Sequence, residues 1–591
     1  MLAATAVIAA PNAAAQTPPK PPNIVLIVAD DMGYGDLGPY DHDHDPRTPD
    51  VTNTPRLDAL ATQGVKLTDF YVCAPVCSPT RAGLMTGRNC ARVGIRGVLG
   101  PSAHCGLSRT EITLAEALKT RGYASEIVGK WHLGSDPEYE PLAQGFDSFY
   151  GVLCSNDMSH FELMRDETII DPNPDQSTLM QALLVEAESF ISAAAAQSQP
   201  FFLYLPTVAP HVPVYVGSAF DGATGRGLYA DCVNEIDWCV GQILDQLDAL
   251  GIANDTIVVF TSDNGPWDNT HFPPPGTPDL WRWVGGSAGP LRGSKGMVYE
   301  GGIREPFLAR WPGHFGEGTV SNHPAICMDL FTTLALEGGA DLPADRVMDG
   351  MDIRPILAGT GARAAEDFFF YEVTAPCDTS PLTRKLWALR SGKWKLHFDT
   401  NVNPIELYDL YADIGETTPL DLPDVVATLL DKAHAYDCAL DATLPPPHIS
   451  GNLASGRPTT ASSSVECQTS AQSVDNLMST AWASAAGEDQ WLYVDLGETC
   501  DVQGVVLDWG SSFATAFEID VSSNSTVWTT VYGTARGAGG HETIPIPLGA
   551  FARFVRVHAT SSNAGTGYSL SELAVLGDVA VPMRYHVLGH H

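Results

Sequence analysis

Four stretches of this chain are apolar almost without interruption and then break off into polar residues. They are NIVLIVADD (23–31), YASEIVGKWHLG (123–134), FFLYLPTVAPH (201–211) and TIVVFTSDNG (256–265). Continuous rather than alternating apolar runs predict strands buried on both faces of a mostly parallel sheet. Between them, EITLAEALKTRG and LYADCVNEIDWCVGQILDQLDALG place apolar residues at helical spacing. Strand–helix alternation predicts an α/β domain with helices on both sides of the sheet.

Near residue 360 the texture changes. KLWALRSGKWKLHFD and then ELYDLYADIGETTPL predict a small antiparallel sheet leading to a helix, and PPPH (445–448) reads as a linker. From 450 the chain is rich in Ser, Thr and Gly with short strands, QWLYVDLG, VQGVVLDWG, AFEIDVSS, RFVRVHA and ELAVLG, which predict a separate β-sandwich. The division expected is therefore 1–21 as leader and Pro-rich arm, 22–360 as the α/β domain, 361–445 as an antiparallel α+β subdomain, 450–577 as the sandwich and 578–591 as a tail. A chain of 591 residues is long enough for roughly three to four folding units.

Charge narrows the function classes. Seventy acidic residues face 33 basic ones, for a net charge of −37, which excludes a nucleic-acid-binding surface. If the ligand is an anion, positive charge must be concentrated where it binds. No run of eighteen apolar residues predicts a membrane span. The start, MLAATAVIAAPNAAAQ, has the apolar and small-residue character of a secretory signal without a basic n-region, so export, secreted or periplasmic, is expected. Twelve cysteines fit an oxidising compartment; they show no paired CxxC zinc pattern, and their connectivity cannot be read.

Each apolar run ends in a polar cluster: Asp30 and Asp31, Lys130 and His132, His211, and Asp263 and Asn264. In open α/β sheets, ligands bind beyond the carboxyl ends of the strands. One such cluster can be the place where polar residues simply begin. Four are harder to dismiss, because paired buried aspartates repel and lose hydration unless a cation neutralises them. The oxygen-rich quartet Asp30, Asp31, Asp263 and Asn264 suits calcium, and magnesium less well. The loop DHDHDP (41–46) reads instead as solvated.

The segment CAPVCSPTRAGLMTGR (73–88) joins a cysteine-rich loop to a helical pattern with proline near its start. Alone, Cys77 could be a thiolate nucleophile or a buried structural cysteine. Cys77-Ser78-Pro79-Thr80-Arg81 followed by AGLMTGR resembles the signature of the sulfatases, in which the cysteine of C-x-P-x-R becomes formylglycine. Cys73 lacks an arginine at the fourth position after it. PNIVLIVADDMGYGDLG, TPRLDALATQGVKLTDFY, GKWHLG, PHVP, TSDNGP and GSKGMVYEGGIREP extend the resemblance over about 22–445. It points to the arylsulfatase branch of the alkaline-phosphatase-like superfamily.

What the resemblance implies is specific. Asp30, Asp31, Asp263 and Asn264 would hold calcium together with the modified Cys77, whose hydrate attacks sulfur. Arg81 would fix the hydrate, Lys130 and Lys295 the sulfate oxygens. His211 would protonate the leaving alcohol and His132 would take a proton from the second hydroxyl. Ser155, in CSND, matches a polar position lining related sites. Read without the family, His132 beside Trp131 also fits a packed core histidine, and Lys295 in RGSKG a solvated turn. A formylglycine-generating maturation enzyme and a sulfated glycan are the partners implied. The rival readings are a phosphate or phosphonate ester hydrolase on the same scaffold and a catalytically silent sulfated-glycan binder.

Residues 450–577 resemble the discoidin-like, coagulation-factor-type carbohydrate-binding domains through NLASGRPTTAS, SVDNLMSTAWAS, QWLYVDLG, VWTTVYG and SELAVLG. That likeness implies a structural calcium near Asp475, Thr480 and Glu572. Trp482 and Trp491 are expected in the sandwich core.

Overall fold

The structure is a computed structural model. It describes residues 20–40, 54–269, 282–374, 376–377, 385–399, 403–441, 452–465, 468–475, 480–537, 539–546, 550–563, 565 and 567–579. The 41–46 loop, most of the leader and tail, the 445–448 linker and residues 270–281 lie outside them.

The main sheet contains, in chain order, β1 (Asn23–Ala29), β2 (Val65–Tyr71), β3 (Ala124–Lys130), β4 (Ser148–Val152), β5 (Leu163–Arg165), β6 (Thr168–Asp171), β7 (Phe201–Pro206), β8 (Thr256–Ser262), β9 (Arg304–Arg310), β10 (Thr319–Ser321) and β11 (Ala325–Ile326). Across the sheet the order is β10-β2-β9-β8-β1-β7-β3-β4-β5-β6, with β11 beside β2. The four apolar runs become β8, β1, β7 and β3, adjacent and mutually parallel. Every residue of β1, β7 and β8 is buried, which accounts for their unbroken apolar sequence. The sheet is mixed and mostly parallel: β9 runs antiparallel between β2 and β8, and β5 runs antiparallel between β4 and β6 at the far edge.

Helices cover the sheet. Gln176–Gln197 is capped by Asp175, which accepts from the Ser177 amide at 3.0 Å. Its Leu179, Leu183, Ala187, Ile191 and Ala194 recur every three or four residues and are buried. This helix is also long and apolar enough to cross a membrane by length and composition alone, but that apolar side is core.

A second sheet, β12 (Asp367–Tyr371), β13 (Leu386–Ser391), β14 (Trp394–Phe398) and β15 (Pro404–Asp409), is antiparallel and precedes the helix Pro423–Asp441. A Cys105–Cys377 disulfide ties the first domain to the segment before β13.

The C-terminal sheet has eight described strands, paired antiparallel around Trp482, Leu492, Trp509, Phe517 and Leu573. Trp482 is core as expected. Trp491 is not: it is half-buried and stacks on Tyr493 at 5.8 Å, because it alternates with the inward-facing Leu492.

Candidate active site

Adjacent parallel strands put their carboxyl ends on one edge, and there the chain collects its polar residues. Ala29 and Ser262 are the last paired residues of β1 and β8, so Asp30–Asp31 and Asp263–Asn264 leave the sheet side by side. The backbone holds them there: Asp263 N–H donates to the Ala29 carbonyl at 3.1 Å, and Asp31 N–H to Asp263 Oδ1 at 3.2 Å. Asp31 has φ 64°, a left-handed conformation that aspartate tolerates better than most residues. β3 ends in Lys130, the loop after β7 brings His211, and the loop after β4 brings Ser155.

Cys77 opens the helix Cys77–Thr86, which is buried along its whole length. Four residues on, Arg81 donates from Nε and Nη2 to Asp263 Oδ2 at 2.9 and 2.7 Å, and from Nη1 to the Lys130 carbonyl at 2.8 Å. Lys130 Nζ lies 2.7 Å from Asp30 Oδ2 and 3.2 Å from Ser155 Oγ. Lys295 Nζ lies 2.8 Å from Asp31 Oδ2 and 3.0 Å from His211 Nε2. Lys295 is 6% exposed, so the solvated-turn reading of RGSKG is corrected: Lys295 N–H bonds the Pro266 carbonyl and Gly296 N–H that of Pro75, folding the turn inward.

Three carboxylates thus meet three fixed cations. Burial opposes ionisation of Asp30, but Lys130, His211, Arg81 and Lys295 outweigh it and hold its carboxyl well below the usual range. Burial lifts the Asp263 carboxyl above the usual carboxylate range, against the pull of Arg81. The Lys295 ammonium is held above its usual range: burial disfavours the charge, and Asp31 more than compensates.

The two histidines differ. His211 Nδ1 faces the Val212 carbonyl at 2.5 Å, which requires the proton on Nδ1 and leaves Nε2 to accept from Lys295. His132 Nε2 faces the Leu99 carbonyl at 2.9 Å, and its buried Nδ1 has no hydrogen bond. Burial first, then neighbouring cations, keeps His132 neutral far below its ordinary pKa, and burial likewise lowers His211.

The oxygen quartet fits a hard cation. Asp30 Oδ1 and Asn264 Oδ1 are buried without a hydrogen bond, and buried polar atoms are seldom left so. Both belong to the quartet read from the sequence, and the donors are oxygens throughout. Asp30, Asp31 and His211 also present ligand atoms within 4.8 Å of one another.

Two neighbours had no catalytic role assigned from the sequence. Asn156, beside Ser155, donates to the His211 and Pro213 carbonyls at 3.3 and 3.0 Å, and the Trp267 ring lies 5.6 Å from Lys295 Nζ. Asn156 stands inside CSND, the only signal the sequence offered for it; Trp267 opens WDNTHFPPPGTPDLWRWVGG (267–286), whose aromatics read from sequence as sugar-stacking or merely loop-closing. Glu305, fully buried and making no hydrogen bond through either oxygen, lies inside the quoted GSKGMVYEGGIREP, where nothing local sets it apart. In the sandwich, Thr480 hydroxyl donates to Asp475 at 2.7 Å and Asn452 Nδ2 to Glu572 at 3.3 Å; residues 476–479 lie outside the described set.

Fold and site together define a mixed α/β protein that gathers cations, carboxylates and imidazoles at the carboxyl edge of its central strands, a set whose chemistry suits an anionic ester. The family model described as Sulfatase matches residues 22–336, that for the N-sulphoglucosamine sulphohydrolase C-terminal region 293–433, and that for the F5/8 type C domain 458–573. Human arylsulfatase A is 39% identical over 444 residues, covering 67% of this chain and 83% of that protein. The N-acetylgalactosamine-6-sulfatase of Sus scrofa is 38% identical over 412 residues, covering 66% and 74%. Among solved structures, Ps i-CgsB in complex with k-i-k-neocarrahexaose superposes with a TM-score of 0.61 at 26% identity, covering 71% of this chain and 93% of that one. The chain belongs to the sulfatase family, with an F5/8 type C domain at its C-terminal end. It is a sulfuric ester hydrolase of the arylsulfatase type.

Proposed function

We propose that the chain is a calcium-dependent sulfatase that uses formylglycine at position 77 and acts on a sulfated carbohydrate. The observation that carries this reading is the environment of Cys77. It sits buried at a helix start with Lys130 and Lys295 nearby, yet burial pushes its thiol pKa up rather than down. An unmodified thiolate is therefore a poor candidate for the nucleophile. Oxidation of its CH2SH to CHO removes that difficulty, since the aldehyde hydrate supplies hydroxyl nucleophiles without a thiolate. A separate maturation enzyme would carry out that step, supplying an oxygen-donating oxidant and releasing the sulfur as sulfide.

Asp30, Asp31, Asp263 and Asn264, with the residue at 77, would hold calcium. When bound, calcium neutralises sulfate charge and acidifies a neighbouring hydroxyl. The chain's own residues do the rest. Arg81 orients Asp263 and the start of the helix at 77. Lys130 and Lys295 are the donors for sulfate oxygens, concentrating positive charge in a protein whose net charge is −37. His211 and Lys295, joined through Nε2, would together pass a proton to the leaving alcohol, with Lys295 the partner that holds it beforehand. His132 presents the unpaired Nδ1 as the base for the second half of the reaction, and Ser155 braces Lys130 and His211.

A carbohydrate substrate is supported by the relatives named for N-acetylgalactosamine-6-sulfate and the structure holding a neocarrahexaose. We assign 22–360 and 361–445 to the catalytic unit and 450–577 to a glycan-binding module with its own calcium. The Cys105–Cys377 disulfide supports export. The test is mass spectrometry of the peptide carrying residue 77, joined to an aryl sulfate assay. It should be lighter by the difference between CH2SH and CHO, and Cys77→Ala should abolish turnover. An unmodified thiol in fully active protein would refute the proposal.

A further inference from the structure

The loop that carries Lys295 is anchored to both halves of the site. Lys295 N–H bonds the Pro266 carbonyl beside the metal-ligand loop, Gly296 N–H the Pro75 carbonyl in the Cys73–Cys77 loop, and Gly301 N–H closes back on Arg292. At its base is Glu300, completely buried. Its carboxylate accepts from the Tyr71 hydroxyl, from Arg304 at 3.2 Å and from Lys395 Nζ at 2.7 Å. Tyr71 ends β2, the strand that delivers Cys77; Lys395 comes from β14, in the second sheet. Behind it, Glu416 Oε1 lies 3.1 Å from Lys395 Nζ and 2.7 Å from His397 Nε2, while its other oxygen accepts the Glu300 N–H at 2.7 Å. Lys395 and Glu416 are fully buried.

A buried ion cluster of this kind is weak evidence for stability, because desolvation offsets much of the attraction and apolar replacements often serve as well. What it does fix is geometry. Glu300 has one carboxylate to join three segments: the strand feeding the nucleophile, the loop holding Lys295 and the second sheet. We propose that Lys395 is a positioning residue for sulfate hydrolysis, acting through Glu300 to set where Lys295 meets Asp31 and His211. It touches no reacting atom. The inference rests on the reading of Lys295 as a sulfate-holding group.

A double-mutant cycle between Lys395→Met and Lys295→Ala, read as kcat and KM on an aryl sulfate, tests it. Lys395→Met should lower kcat about ten-fold or more in the otherwise native enzyme, as expected for misplacement of a group at the reacting centre. In a Lys295→Ala background the same change should have little further effect. Full additivity of the two losses would reduce Lys395 to a structural residue and overturn the proposal. Native activity in Lys295→Ala alone would instead reject the role of Lys295, a separate failure seen in a separate arm. Should Lys395→Met not fold, Lys395→Met/Glu416→Gln removes one charge of each sign and carries the same cycle, with near-UV circular dichroism confirming packing.

Discussion

Arg81 sets two nitrogens on one oxygen, Asp263 Oδ2, and its third on the Lys130 carbonyl, so a single guanidinium ties the helix start at Cys77 to the ends of β8 and β3. Lysine can match its charge but not its planar fork. Arg81→Lys should therefore cost about 10²-fold in kcat on an aryl sulfate, the scale seen when one fixed donor is lost from an active site. The melting temperature should also fall, because the Lys130 carbonyl and Asp263 lose buried partners. Near-native turnover would mean the fork is incidental.

Asp30 Oδ1 and Asn264 Oδ1 are the quartet's two oxygens without a hydrogen bond, and calcium should satisfy both. A ligand that binds only the folded chain at 100-fold above its dissociation constant stabilises by about 2.7 kcal/mol. Calcium should raise the melting temperature of chelator-treated protein and restore its activity. Asp263→Ala/Asn264→Ala should lose both responses. A calcium-induced shift surviving in that variant would place the ion elsewhere.

His211 has its Nδ1 proton committed to Val212 and its Nε2 against Lys295. His211→Ala should therefore slow alkyl and sugar sulfates by at least ten-fold more than activated phenyl sulfates, since only the former need a proton to leave. Equal losses on both classes would reduce His211 to holding sulfate.

The strands ending in these groups were legible because burial on both faces forces an unbroken apolar sequence, as in NIVLIVA and TIVVFTS. β9, which runs antiparallel inside the sheet, was not: REPFLAR begins with Arg304 and Glu305, charges that only tertiary partners or complete burial make sense of. Lys295 could be assigned only through resemblance, since RGSKG is locally a turn and its burial depends on Pro75 and Pro266, far away in sequence. Trp491 failed for a simpler reason. A strand alternates faces, and the chain does not announce which face a tryptophan takes.

Glu126, buried on β3, is pushed up to about 7, first by desolvation and then by Glu186. Its unfolded value is about 4.3. Between those limits the folded chain keeps a proton that the unfolded chain has released. The contribution to stability is thus complete below about pH 4.3 and lost as pH rises through about 7, with a slope of at most ~1.4 kcal/mol per pH unit. Glu126→Gln should remove this slope. Melting curves from pH 5 to 8 should show the wild type losing stability relative to the variant, and parallel curves would mean Glu126 is ionised in the fold.

The last expectation concerns the sandwich. No residue assigned a contact with the reacting group lies beyond Lys295, and the buried cluster that holds the positioning residue Lys395 ends at Glu416, before the linker. Truncation after about residue 447 should therefore leave hydrolysis of a small aryl sulfate within about two-fold of the full chain, provided the module is tethered rather than built in. A polymer is different. A tethered binding module raises the local concentration of substrate only when both sites can engage one chain, so the gain appears on long glycans and vanishes on small ones. Loss of about ten-fold or more on an insoluble sulfated polysaccharide, with the small substrate unaffected, is the expected pattern. Equal polymer activity with and without the sandwich would remove its targeting role. Collapse on both substrates would show instead that the sandwich braces the catalytic unit, and the half-buried row of Trp491, Tyr493 and Trp528 would then be the first face to examine for that contact.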